Sequence, residues 1–188
     1  MKKKNVGFTT VELLVNISLV LLLSGLIITY SRVSERQIIF TKERFRFSDT
    51  LYKARNLSIQ TFSEISTPCG FGVEILNEND YVLFKDLPSD DSGKCTSADN
   101  SFTERTNKDE LLEYFSLEDD VIFDLYNNSN MKRPYSVVFI PPRPDIIISR
   151  DSSIYDIRIN LKDKKGNITS EILVNKFGQI SFIPNARN

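Results

Sequence analysis

The chain has 188 residues, 40% of them hydrophobic, and a formal net charge of −1. After a long apolar stretch near its start, that length leaves room for one modest domain. There is no histidine, which removes the usual general base and the commonest metal ligand, and no nucleophile elbow, phosphate loop or metal-ligand cluster stands in the sequence, so catalysis is not expected.

The N-terminus opens with Lys2, Lys3 and Lys4, then Gly7, then Phe8-Thr9-Thr10-Val11-Glu12-Leu13-Leu14-Val15. From Leu13 to Ser31 no residue is charged, a run of 19 residues. As a helix it is about 28 Å long, close to the hydrocarbon thickness of a bilayer. The lysines precede the span, and positive flanks stay in the cytoplasm, so the remainder should face outward. Glu12 lies inside the N-terminal end of the run. An ionisable group there costs roughly 2.5–3.5 kcal/mol on insertion scales and marks a function with a partner. A cleaved secretory signal fits poorly, because Tyr30-Ser31-Arg32-Val33 is not a small-x-small site. A plain signal anchor leaves Gly7 and Glu12 without a purpose. Ser24-Gly25 is either a bend or a place where a neighbouring helix approaches.

No proline occurs before Pro68, and the pattern predicts one helix from about Thr9 to about Ser63. Beyond the apolar run, Phe40, Phe47, Leu51, Ala54, Ser58, Phe62 and Ile65 recur at steps of three, four or seven and mark one packed face. Lys42, Glu43, Arg46, Asp49, Lys53 and Arg55 are expected largely on the others. Thr67-Pro68-Cys69-Gly70 ends the helix.

Strand-like runs follow at Phe71–Ile75, Tyr81–Lys85, Val121–Tyr126, Ser136–Ile140, Ile146–Ser149, Ile154–Leu161, Ile168–Val174 and Gln179–Ile183. Asp163-Lys164-Lys165-Gly166-Asn167 and Asn175-Lys176-Phe177-Gly178 read as hairpin turns. Residues 86–107 read as a long polar loop, and Lys108–Phe115 as one short helix. Pro141, Pro142 and Pro144 break the strand before them. Cys69 and Cys95 do not have zinc-site spacing. Outside the cytoplasm they form a disulfide, or else they are two buried thiols that never meet. Asp86, Asp90, Asp91 and Asp99 crowd the polar loop at spacings that fit no calcium motif, so a solvated acidic loop is expected and no metal or other cofactor.

The basic leader, Gly7, Phe8 and an acid five residues after the glycine resemble the prepilin cleavage and methylation motif. This motif marks the subunits of type IV pili, type II secretion pseudopili and competence pili. Two shorter stretches, Leu51-Tyr52-Lys53-Ala54-Arg55-Asn56-Leu57-Ser58-Ile59 and Val174-Asn175-Lys176-Phe177-Gly178-Gln179-Ile180-Ser181, are similar to segments of the minor pseudopilin H (FimT-like) family. The resemblance implies an α+β pilin fold, with a long helix on an antiparallel sheet. It divides the chain into a leader (1–7), a transmembrane and polymerisation helix (8–31), an amphipathic continuation (32–66) and a β domain (67–188). Prepilin peptidase would cut between Gly7 and Phe8 and methylate the Phe8 amine. Glu12 would pair with that amine during assembly. The implied partners are the peptidase, other pilin or pseudopilin subunits, the inner-membrane assembly platform and membrane lipid.

A DNA-capturing minor pilin of a competence pilus is the alternative. Residues 67–188 hold 14 basic and 20 acidic groups, a net of −6, and the tail after Ile183 carries one arginine, Arg187. That balance opposes binding to a phosphate backbone. A structural subunit is therefore the expectation, held in the inner membrane with its domain outside the cytoplasm.

Overall fold

The computed structural model describes residues 9–60, 68–88, 95, 98, 100–102, 109–118, 120–125, 135–141, 145–148 and 156–183. One helix, α1 (Thr10–Gln60), opens the chain. The chain divides into two compact units, Met1–Ile38 and Ile39–Asn188. In the first unit every described side chain from Thr10 to Ile27 is exposed, including Leu14, Val20, Leu21 and Ile27. Ser18 and Ser24 do not interrupt the helix, because each hydroxyl donates back to a carbonyl, of Val15 and Val20 respectively. The helix is continuous through Gly25, and among the described residues nothing lies within 4 Å of a Cβ added there.

In the second unit α1 carries a buried strip, Phe40, Phe47, Leu51, Ala54 and Ser58. This is the face that the three-and-four spacing predicts. Phe62 and Ile65 lie outside the described residues. Among the described residues nine strands follow the helix, and every pairing is antiparallel. The first sheet has the order β3-β2-β1-β5-β6, built from β1 (Gly70–Ile75), β2 (Asp80–Asp86), β3 (Glu110–Ser116), β5 (Tyr135–Ile140) and β6 (Asp145–Ile148). The second has the order β4-β7-β8-β9, from β4 (Val121–Phe123), β7 (Asp156–Asp163), β8 (Thr169–Asn175) and β9 (Ile180–Ile183). The architecture is α+β.

One core joins the buried strip to both sheets. Phe47 is its centre. The ring meets Tyr81 of β2 edge-on at 5.0 Å and Phe123 of β4 at 5.0 Å, while Tyr81 stacks on Phe115 of β3 at 4.9 Å. Burying one such ring stabilises the fold by roughly 1.5–3 kcal/mol, and each favourable ring pair adds about 0.5–1.5 kcal/mol. Both predicted hairpins form. Gly166 and Gly178 take the left-handed φ values of 73° and 67° that their turns require, and their amides close onto Asp163 and Asn175.

The polar segment after β2 is not simply a solvated loop. Cys95 is bonded to Cys69, with Cα atoms 5.1 Å apart. Farther along, Ser101 Oγ and the Phe102 amide both donate to Glu74 Oε2, at 2.8 and 2.7 Å. Ser136 Oγ donates to the Asn100 carbonyl at 2.9 Å. Residues 100–102 thus lie across the sheet face that looks away from the core, and Phe102 packs on Val82, Phe84 and Val138. This explains why all six residues of β1 are buried rather than alternate ones. Gly72 makes room for the arrangement: a Cβ there would stand 2.6 Å from the Phe84 ring. Asp86, expected to be solvated, is fully buried at the end of β2. Asp90, Asp91 and Asp99 lie outside the described residues.

Two further expectations are corrected. Glu110–Ser116 is strand β3, not a helix. It pairs with β2 through a bulge, in which the register steps from Leu83↔Glu113 to Phe84↔Leu111 and leaves Leu112 as the extra residue. The bulge lets Leu112 and Phe115, three apart, both pack on the core. Three-residue apolar spacing is a helical signal in the sequence, but here a bulge produces it. The other correction is Glu43, which is not on a solvated face of α1 but wholly buried.

Candidate functional site at the start of the helix

Gly7 and Phe8, the expected cleavage and methylation positions, lie outside the described residues. Immediately after them, Thr9 and Glu12 build the first turn of α1. The Glu12 amide donates to Thr9 Oγ1 at 3.2 Å. In return Glu12 Oε2 accepts from the Thr9 amide and the Thr9 hydroxyl, each at 3.1 Å. The Leu13 amide closes the turn onto the Thr9 carbonyl at 3.1 Å. This is a reciprocal capping box. It satisfies two backbone donors that a helix start otherwise leaves without partners. The carboxylate also sits at the positive end of the helix dipole.

The sequence reading gave Glu12 one task, pairing with a cation. The structure adds a second within its own segment. The signal was present as Thr9-Thr10-Val11-Glu12, a threonine followed three residues later by a glutamate before an apolar run. The cap uses Oε2, and a carboxylate has a second oxygen with its own lone pairs. The two tasks are therefore chemically compatible.

Behind the cap, Thr10–Ile27 forms a helix long and apolar enough to cross a membrane, with none of its side chains buried. Its backbone groups are satisfied along the helix, which a hydrocarbon environment requires. What this arrangement offers is a capped, acid-headed apolar rod.

Cys69 and Cys95 are brought together as a disulfide, the first of the two alternatives open in the sequence. Among the described residues, no three His, Cys, Asp or Glu side chains are grouped to hold a metal ion. A scan against family models, a search of curated proteins and a search of solved structures all return no match for this chain.

Proposed function

We propose that this chain is a structural, minor subunit of a type IV pilus or type II secretion pseudopilus. The observation that carries the reading is the exposed apolar segment Thr10–Ile27, headed by Glu12 in a capped first turn and directly preceded by Gly7-Phe8 and a tri-lysine leader. In this reading the segment holds the precursor as a single pass in the inner membrane. The lysines stay in the cytoplasm and the domain lies outside. Prepilin peptidase cuts after Gly7, where the absent side chain lets the enzyme approach the backbone. Phe8 becomes a methylated, positively charged N-terminus. Glu12, four residues further along the sequence, is its natural partner on the same or a neighbouring subunit. Low dielectric makes an unpaired charge costly and a paired one tolerable, so the pairing sets axial register as a subunit leaves the bilayer. The disulfide and the apolar span are what such a location calls for.

Intact mass and N-terminal sequencing of protein from its native host test the reading. The expected mature chain begins at N-methyl-Phe8. An intact Met1, or an N-terminus near residue 32, overturns it. Gly7→Val should leave the precursor uncut. Glu12→Ala should still be processed, yet should be lost from the sheared-filament fraction. The acidic balance of residues 67–188 speaks against DNA capture, and a mobility-shift assay on the domain checks that directly.

A further inference from the structure

Glu43 is a wholly buried charge on the helix. It stands on the buried strip of α1 between Phe40 and Phe47, and its side chain is fully buried. Among the described residues, Oε2 has one long contact, 3.4 Å from Arg46 Nη1, and Oε1 has no hydrogen-bond partner. The charged and titratable groups that face it are Lys42 and Arg46 from α1, Glu118 from the β3–β4 connection and Tyr81 from β2. Both cations have other business. Lys42 pairs with Glu118, while Arg46 donates to the Ser116 carbonyl at 3.2 Å and lies 5.2 Å from the Phe115 ring centroid. A carboxylate so placed has lost its water without full replacement, whereas a neutral carboxyl in the same place costs far less.

We propose that Glu43 is a proton-operated latch on the seam between the domain part of α1 and the sheets. With its carboxyl neutral, the helix packs closely over β2 and the β3–β4 connection. With the carboxyl ionised, the seam is weakened and opens more readily. Burial raises the proton affinity of Glu43 above that of an ordinary glutamate, the Glu118 charge raises it further, and Arg46 and Lys42 oppose the shift only in part. The sign follows from linkage. A carboxyl whose proton affinity is higher in the folded chain contributes stability that is complete below its ordinary value of 4.5 and is lost as pH rises through the higher folded value. Nothing in this inference depends on the pilin reading.

The test is thermal unfolding of the full-length chain in detergent micelles, from about pH 4 to pH 8. Parent, Glu43→Gln and Glu118→Gln are compared. Asp80 has the opposite sign, because a hydrogen bond from Asn77 lowers its proton affinity, but it is common to all three and cancels in differences. The Tm of Glu43→Gln minus that of the parent should be smallest at the acid end and should rise steadily with pH, because the parent alone loses this stability as the carboxyl ionises. Glu118→Gln removes a like charge and releases Lys42, so its pH-dependent loss should be smaller than the parent's and complete at lower pH. A Glu43→Gln difference that is flat with pH overturns the proposal. If that variant does not fold, a Glu118→Gln profile parallel to the parent's overturns it instead.

Discussion

The two parts of α1 share one backbone geometry and differ in what surrounds them. From Thr10 to Ile27 all side chains are exposed and nearly all are apolar; from Phe40 to Ser58 one strip is buried and the remaining faces carry charge. Helical periodicity therefore separates the parts by width of apolar surface rather than by propensity. A stripe needs one protein face to cover it, and the sheets supply that face. A rod that is apolar all round needs an apolar medium. The ion pairs follow the same division. Lys42–Glu118 and Lys53–Glu113 flank the buried strip and tie α1 to β3 and the residues after it, whereas no charge occurs between Leu13 and Ile27.

Several experiments sharpen or break this contrast. The largest effect should come from starting the chain at Ser31. The product should be soluble without detergent and keep the Cys69–Cys95 bond, and a need for detergent would show that the later part of α1 is not adequately covered. Next comes Phe47→Ala, which should cost about 3–5 kcal/mol in denaturant unfolding, while Val20→Ala in the exposed part should cost the domain nothing measurable. Equal losses would erase the distinction between the two parts. Cys95→Ser should cost roughly 3.5 kcal/mol, because the bridge closes a long loop in the unfolded chain. Val20→Lys should leave the domain's melting unchanged but weaken membrane insertion by roughly 2.5–3.5 kcal/mol, read from the ratio of inserted to non-inserted chain. The smallest effect is on the cap. Thr9→Ala removes the hydroxyl from the box and should cost about 1 kcal/mol, seen as faster amide exchange confined to the first turn of α1.

Where local periodicity and exposure agree, the sequence was a sufficient guide. The buried strip from Phe40 to Ser58, the two glycine hairpins and eight of the nine strands among the described residues were all legible. The failures share a cause. Strand β3 was hidden because its bulge brings Leu112 and Phe115 into the core at a helix-like spacing, and a bulge depends on the partner strand. Glu43 was misplaced because a glutamate on a core strip is read by type as solvated. Its burial is a tertiary outcome, with Glu118 of the β3–β4 connection among the charges that face it. The role of Glu74 was equally invisible, since the amide and hydroxyl it receives come from a segment that composition marked only as polar. In the candidate site, the apolar rod and its acid were plain. The cap was written in four consecutive residues, but its significance emerged from the reciprocal hydrogen bonds.

The bulge in β3 has a consequence for molecules crowded side by side. Among the described residues strand β3 is one border of its sheet, with Leu111 and Tyr114 exposed on it, and a flat border of that kind is a template for another chain's strand. The extra residue at Leu112 disrupts the ladder and increases the local twist, so a second strand laid along β3 would fall out of step midway. Many copies confined to two dimensions would meet at high local concentration, and the irregular border would keep those encounters from becoming irreversible strand-to-strand aggregates.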